Sequence, residues 1–446
     1  MLGKETIKRI TERVLGMSDA DQTEVAFLGG TTALTRFANN YIHQNILETN
    51  TQVTIRVALG KKLGVATTND LSDDALEATL ARARTIANFQ PENPDFKTLP
   101  TPDDAGTPRN DLFVETTAST TPDLRADGAG AVCRLAGEKG LTAAGAFSTN
   151  VQEIAAGNSL GVFSYGHSTA ANLLTVVMGE NSSGYASSTS RDVSDIDAEA
   201  VAREAVGKAL RSKDPIDIEP GEYTVVLEEY AMGGLLEYLA LSGGFSGLAL
   251  QEGRSFLKPG ELITGESINV YDDGSDQRAL AMPVDMEGVA KRRVELIRNG
   301  VGGEAVYDSY TANREGKQST GHALPAPNPW GPFPLHIFMD AGSTPRDELT
   351  KGIERGIWVT RFHYMGVVHP LKAIITGMTR DGTFLIENGE VTRPVKNLRF
   401  NQAVLEAWQH ATLGDTIKLQ KGFLFGSAAA PAARIERFNF ASATSF

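Results

Sequence analysis

The chain has 446 residues, 42 lysines and arginines against 55 aspartates and glutamates, a formal net charge of −13 and a single cysteine. The acidic balance argues against broad nucleic-acid binding, which needs a basic surface, and against docking on an anionic membrane. One cysteine excludes an internal disulfide and a Cys-rich zinc module, and no stretch reaches the ~18 apolar residues of a membrane span. We expect a cytoplasmic globular protein that binds neither nucleic acid nor membrane.

The first half of the chain is predicted to combine helices with short antiparallel strands. It begins with an amphipathic helix that places Ile7, Ile10 and Val14 on one face. Strand-like runs follow at 23–29, 32–37, 41–48, 51–59 and 62–68. A helix capped by Ser72 then extends to about residue 89. Another helix is expected over 122–139. Four strand-like runs follow at 141–148, 151–156, 160–165 and 170–178, and then a further amphipathic helix at about 195–211.

Two segments of this half resemble each other. Residues 60–68 and 179–188 each join a hairpin to an acid-rich helix start, with glycine and alanine at matching places. We interpret 1–212 as a duplicated unit of helix, antiparallel meander and helix. The alternative is a coincidence between two ordinary hairpin-to-helix junctions.

The second half is predicted to be rich in β-structure. A linker near residue 215 divides the chain into an N-terminal domain, 1–215, and a C-terminal domain, 216–446. Short alternating runs favour strands, and few helices are expected, the clearest at 346–356 and 401–412. Runs of strands with segregated helices indicate an α+β fold of two domains.

General searches for chemical motifs give weak signals. Residues 157–161 have the glycine–serine spacing of a nucleophile elbow, but a strand-like run follows, which favours a hairpin turn. His363 and His369 lie too far apart on an extended run to share a metal ion without a bend. Asp285 and Glu287 are interpreted as structural carboxylates, and His322 falls in an exposed-looking loop.

The C-terminal half carries a series of motifs with a specific order and spacing. They are the segments 285–288, 294–300, 310–316, 319–321, 356–359, 376–377 and 384–395. Together with 36–45 in the first meander, they resemble the TldD/PmbA family, also called modulators of DNA gyrase. The resemblance implies a two-domain α+β fold and a cytosolic metallopeptidase that acts on small peptides. In that family a TldD-type chain binds zinc through His-Glu-x-x-x-His and a distant cysteine, and a related PmbA (TldE)-type chain lacks these ligands.

This sequence departs from the zinc motif of the family. The metal helix is expected to begin at Leu235-Leu236, and the ligand and base positions are occupied by Glu237, Tyr238 and Ser242. A zinc peptidase needs imidazole ligands and a carboxylate that deprotonates the metal-bound water. The position of the cysteine falls near 422–425, which contains no thiol. The resemblance therefore implies a PmbA/TldE-type chain with no catalytic residue, metal or cofactor of its own, and with zinc only in a TldD-type partner.

Three hypotheses remain open at this stage. The first is a silent subunit that pairs with a TldD-type chain and helps to form a peptide chamber. Four residues are candidates for its substrate cleft: Arg36, Asn40, His322 and His363. The second is a homodimer that binds peptides or small ligands without cleaving them. The third is a peptidase with relocated ligands, for example Glu237, His363 and His369.

Overall fold

The computed structural model describes residues 1–109, 111–280, 282–422 and 426–444. Its α-helices are α1 (Lys4–Met17), α2 (Asp73–Phe89), α3 (Pro102–Ala105), α4 (Glu115–Ala118), α5 (Pro122–Glu138), α6 (Ala198–Arg211), α7 (Glu229–Leu241), α8 (Gly247–Gln251), α9 (Ser309–Glu315) and α10 (Val404–Ala407). Short 3₁₀ turns lie at Val193–Asp195, Arg346–Glu348, Pro370–Lys372 and Trp408–His410. None of the described helices has the length and apolarity needed to cross a bilayer.

Six antiparallel strands form the first sheet, in the order β3-β2-β1-β4-β5-β6. They are β1 (Gln22–Ala38), β2 (Tyr41–Leu59), β3 (Lys62–Thr68), β4 (Thr142–Asn158), β5 (Phe163–Met178) and β6 (Ser183–Ser190). The runs predicted at 23–29 and 32–37 form one strand. Gly30, at φ +148°, lies between the two runs, and the register with β2 and β4 continues through it.

The first sheet has two halves of the same construction. The order helix, three strands, helix occurs as α1, β1–β3, α2 and again as α5, β4–β6, α6. In each half a glycine lets a helix pack closely on the outer strand. A Cβ on Gly64 would lie 2.0 Å from the carbonyl oxygen of Ala83, and one on Gly184 would lie 2.2 Å from that of Ala205. The resemblance between 60–68 and 179–188 thus corresponds to equivalent packing.

The second sheet is mixed and partly closed on itself. Its strands are β7 (Gly221–Leu227), β8 (Val270–Asp272), β9 (Val294–Arg298), β10 (Val301–Gly302), β11 (His336–Met339), β12 (Arg355–His369), β13 (Ile374–Glu387), β14 (Glu390–Pro394), β15 (Leu398–Ala403), β16 (Thr412–Lys421) and β17 (Ser427–Ala443). Pairing runs from β17 through β15, β13, β12 and β7 back to β17, which closes a ring of strands. The rings of Phe362, Phe400 and Phe438 pack together on these strands, with centroids 4.4–5.8 Å apart.

This architecture confirms the α+β fold with two domains and a β-rich second domain, whereas three local predictions are wrong. Residues 346–356 form only a 3₁₀ turn, because Gly352 has φ +75° and β12 begins at Arg355. The helix expected over 401–412 is reduced to α10 and a 3₁₀ turn, because residues up to Ala403 pair with β13. Helix α7 begins at Glu229 rather than at residue 235. The domain boundary near residue 215 stays a prediction.

Candidate functional site

Helix α7 carries the positions that correspond to the zinc motif. Its apolar face buries Leu235, Leu236 and Leu239 in the core of the second domain. Glu237 and Tyr238 are half-buried on the same helix. Burial, followed by the nearby charge of Glu237, raises the pKa of the Tyr238 phenol. The phenol is therefore neutral near pH 7 and cannot act as a general base there.

Ser242 ends α7 rather than extending its face. Its Oγ donates to the carbonyl oxygen of Leu239 at 2.6 Å and accepts from the N–H of Gly244 at 3.2 Å. A hydroxyl with both of these roles stabilises the helix end, so it serves as a cap. The sequence alone did not indicate this role.

The donor set of this region does not fit a zinc ion. Zinc in proteins is held by imidazole, thiolate and carboxylate ligands. Here one carboxylate, one phenol and one capping hydroxyl occupy the expected positions. Across the described ranges, no three His, Cys, Asp or Glu side chains come together as a metal-ligating group. The predicted cysteine position lies largely outside the described residues, at 423–425.

A charged pocket lies at the opposite end of α7 and joins the two domains. Lys208 on α6 contacts Glu228, the N-cap of α7, at 2.7 Å, and it contacts Glu204 at the same distance. Burial would raise the pKa of Glu228, but Lys208 and Arg346 outweigh it and lower that pKa. The indole Nε1–H of Trp358 also donates to Glu228, at 2.6 Å. These buried charges are paired, which makes the pocket a structural connection between the domains.

The larger cleft is a groove of about 840 Å³ between the first sheet and the second domain. Its floor is one face of β2, β1, β4 and β5, lined by Leu28, Gly30, Thr32, Glu48, Asn50, Gln52, Asn150, Gln152, Ser168 and Ala170. Its roof comes from the second domain and is mostly apolar, lined by Leu280, Met282, Met286, Ala323, Leu324, Pro325, Pro327, Asn328, Pro329, Trp330, Leu335, His336, Lys421 and Gly426. We call this cleft the interdomain groove. Its size is typical of ligand sites.

Strand register brings four carboxamides together on this floor. Gly30 lies opposite both Asn50 on β2 and Gln152 on β4, while Thr32 lies opposite Asn150. Because directly opposed residues share a face, these side chains project into the groove in successive rows. We call Asn50, Gln52, Asn150 and Gln152 the carboxamide floor. In the described structure none of the four side chains has a protein hydrogen-bond partner, so their donors and acceptors are available to a ligand.

A buried polar cluster lies behind the roof of the groove. The imidazole Nε2–H of His322 donates to Asp272 Oδ1 at 2.7 Å, and the main-chain N–H of His336 donates to Asp272 Oδ2 at 2.7 Å. Burial would raise the pKa of Asp272, but His322 and Lys291 outweigh it and hold that pKa at about 2. Burial lowers the pKa of His336 to about 3 and also lowers that of His322, so both imidazoles are neutral near pH 7.

The predicted substrate-cleft residues do not gather at the groove. The exposed loop position expected for His322 is wrong: this side chain is 1% exposed, because Asp272 and Thr320 hold it inside the second domain. The side chain of Asn40 donates a hydrogen bond to the carbonyl oxygen of Leu141 and accepts one from the main-chain N–H of Ala143, which fixes the β1–β2 turn against β4. Arg36 is exposed on β1, and its nearest polar partner is Gln44 at 3.4 Å. His363 lies half-buried on β12 against the ring of Tyr364.

The comparisons place this chain in one class of metallopeptidase-related proteins. The model for the PmbA/TldA metallopeptidase C-terminal domain matches residues 220–442, and the model for PmbA/TldA metallopeptidase domain 1 matches residues 23–87. The chain belongs to the PmbA/TldD family.

Individual proteins similar to this chain cover nearly its whole length. The metalloprotease PmbA of Escherichia coli O157:H7 is 24% identical over 97% of this chain and 95% of its own length. The structure of TldE from Thermococcus kodakarensis has a TM-score of 0.88 at 22% identity, covering 98% of this chain and all 100% of that chain. A Thermotoga maritima structure, provisionally classed as a modulator of a DNA gyrase, has a TM-score of 0.85 at 20% identity, with 98% and 100% coverage. These structural likenesses show the fold.

Proposed function

We propose that this chain is the non-catalytic, PmbA/TldE-type subunit of a cytosolic zinc peptidase that acts on small peptides. The observation that carries the proposal is a family scaffold whose zinc positions hold Glu237, Tyr238 and Ser242. In this proposal zinc and the general base belong to a TldD-type partner. The chain contributes walls of the peptide chamber and no metal ligand.

An open strand edge supports a paired state. Residues 41–52 of β2 pair with β1 on one side, whereas in the described structure β3 pairs only from Val53 onward. This edge exposes large apolar side chains, Leu47 by 73% and Tyr41 by 58%. Long exposed edges with apolar residues favour pairing with another chain. Tyr364, 72% exposed where the register of β12 is irregular between His363 and Gly366, adds a second apolar surface.

A homodimer that binds peptides or small ligands without cleaving them is the second candidate. The same open edge favours it, because two copies of β2 could pair about a twofold axis. The two candidates differ in the partner and in the metal content, and not in the fold of this chain.

Native mass spectrometry of the protein purified from its own host separates the two candidates. A complex with a second chain of similar size and with bound zinc is expected for the silent subunit. A metal-free homodimer would favour the second candidate, a homodimer that binds peptides or small ligands without cleaving them. A homodimer with stoichiometric zinc would contradict the assignment of the zinc positions. Peptide cleavage by the isolated chain, abolished in His363→Ala, would favour relocated ligands instead.

A further inference from the structure

We infer that the interdomain groove binds an extended peptide segment with uncharged side chains, and that the carboxamide floor recognises the main chain of that segment. The inference rests on the proposed function in taking a peptide as the ligand. It adds a binding site, a mode of recognition and a class of peptide. The site is separate from Glu237, Tyr238 and Ser242, none of which lines the groove.

The spacing of the floor matches an extended chain. Successive rows of the floor are two residues apart along β1, about 6.7 Å, which is also the repeat of residues i and i+2 in an extended peptide. The rows centred on Leu28, Gly30 and Thr32 therefore span about 13 Å, enough for four or five ligand residues. Each carboxamide offers an acceptor oxygen and a donor NH₂, which is the pair needed to bind a peptide N–H and a peptide C=O.

Gly30 leaves the middle row without a central side chain. It has no side chain, and it lies between Asn50 and Gln152 on neighbouring strands. Adjacent strands are about 4.8 Å apart, so these two residues are separated by a gap of about 10 Å that holds only the backbone of Gly30. A main chain placed in that gap is within reach of both side chains.

The roof selects against charged ligand side chains. Met282, Met286 and Trp330 present apolar surface, and Trp330 is 62% exposed. Among the described lining residues, the charged side chains are Glu48 and Lys421, one of each sign. Away from Lys421, a charged ligand side chain against the roof would lose water without gaining a partner, which is unfavourable. Apolar side chains and proline would bury apolar surface against the roof, which is favourable for binding.

A peptide fits the groove better than a carbohydrate. Oligosaccharide sites also use carboxamides, but they combine them with aromatic rings that stack on sugars. Here the roof consists mainly of aliphatic, methionine and proline residues, and Trp330 is the aromatic ring among its described members. Carbohydrate binding is therefore kept as an outcome of the test.

Direct binding to the full-length chain tests the inference without any measurement of activity. Two pools of six-residue peptides, N-acetylated and C-amidated, are incubated with the protein. One pool contains Ala, Val, Leu, Pro and Phe, and the other has Lys or Glu at alternate positions. Peptides retained with the protein are identified by mass spectrometry and then titrated by calorimetry, with maltohexaose as the carbohydrate probe.

Two isosteric variants examine the floor and a third examines the roof. Asn50→Asp and Gln152→Glu remove NH₂ donors and add a charge that faces the ligand, so each is expected to weaken binding of a retained peptide about tenfold. Trp330→Ala should weaken it as well. Gln409→Glu is the matched control, because Gln409 is an exposed carboxamide outside the groove. Circular dichroism and thermal melting show that each variant is folded.

The outcomes separate this inference from the proposed function. Retention of the uncharged pool, weakened by the floor variants and not by the control, supports the inference whether or not a TldD-type partner exists. It is overturned by no retained peptide, by preference for the charged pool, by binding of maltohexaose alone, or by equal affinity in the floor variants. A zinc-containing complex found by native mass spectrometry would in those cases leave the proposed function standing.

Discussion

Arg56 and Glu287 form a salt bridge of 2.9 Å that connects the first sheet to the second domain. The same guanidinium nitrogen of Arg56, on β2, lies 2.8 Å from Glu24 on β1. The other oxygen of Glu287 accepts from the N–H of Ser309 at the start of α9. One largely buried cation therefore holds two buried carboxylates at the place where the two domains meet.

Replacing Arg56 should destabilise the protein strongly. Arg56→Ala leaves Glu24 and Glu287 buried without their cation, and breaking such a pair destabilises by about 3–5 kcal/mol. Arg84→Ala is the matched control, since its 2.7 Å pair with Asp19 is exposed and is expected to contribute less than about 1 kcal/mol. Urea unfolding of both variants provides the comparison. If Arg56→Ala and Arg84→Ala lose the same unfolding free energy, the interdomain cluster stabilises the protein no more than an exposed ion pair does.

Local features of this fold are readable in the sequence, and contacts between distant segments are not. Strand β3 is predicted with its observed bounds, 62–68, because alternation and a preceding Gly-Lys turn are local signals. The closure of the second sheet depends on pairing of β7 with β17 from the far end of the chain, which no local pattern reports. His322 illustrates the same limit, since its polar loop suggests exposure and Asp272 on β8 keeps it buried.

The groove shows how far sequence patterns lead toward the site. The sequence shows that residues 48–52 are all polar and that Asn150 and Gln152 flank Val151, but this does not indicate which side chains of 48–52 share a face. That the two sets meet across Gly30 follows only from the pairing of β1 with both β2 and β4. The residues singled out by polarity and motif placement, such as Asn40, instead fix a turn.

Glu24 should make the protein less stable as the pH rises toward neutrality. Burial, which outweighs the attraction of Arg56, raises the pKa of Glu24 to about 7. Between about pH 4.5 and 7 the folded state keeps a proton that the unfolded state has released, so stability falls as pH rises. In Glu24→Gln this contribution is absent. Between about pH 5 and about pH 7.5 the urea midpoint of the variant should therefore rise relative to that of the wild type. The same change of midpoint in both proteins would contradict the shift.

His336 should contribute a dependence of the opposite sign. Its pKa is lowered to about 3 by burial, so from about pH 6.5 downward the unfolded state binds a proton that the folded state does not. Stability from this group is therefore complete above about pH 6.5 and is lost as the pH falls. His336→Leu, of similar size at a fully buried position, should reduce the loss between about pH 7.5 and pH 5. Since Glu24 acts in the other direction over much of this range, the two variants are needed to separate the contributions.

Gly30 should tolerate no side chain. An added Cβ would lie 1.9 Å from the carbonyl oxygen of Val151, a contact that requires the paired strands to move apart. Gly30→Ala is expected to destabilise by more than about 3 kcal/mol. Gly60→Ala is the control, because Gly60 is also at positive φ, +57°, but no described atom outside its chain neighbours lies within 4 Å of the new Cβ. The loss of stability in Gly60→Ala should stay near the cost of about 1–2 kcal/mol for placing a residue with a Cβ in the left-handed conformation. If thermal or urea unfolding shows similar losses of stability in Gly30→Ala and Gly60→Ala, the positive φ alone accounts for the cost and the contact with Val151 does not contribute.

Restoring the helical part of the zinc motif should not restore tight zinc binding. Glu237→His, Tyr238→Glu and Ser242→His together place two imidazoles and a carboxylate at the corresponding positions of α7 and its end. Zinc held by only part of a ligand set binds weakly, because each missing ligand leaves a coordination position to water. Replacing Ser242 also removes the hydroxyl that caps α7 at Leu239, so the second imidazole would stand on a less ordered helix end. Zinc content after dialysis against a chelator, measured by inductively coupled plasma mass spectrometry, should equal that of the wild type. Stoichiometric zinc retained by the triple variant would mean that another group nearby completes the site, and it would contradict the absence of the remaining ligand from this region.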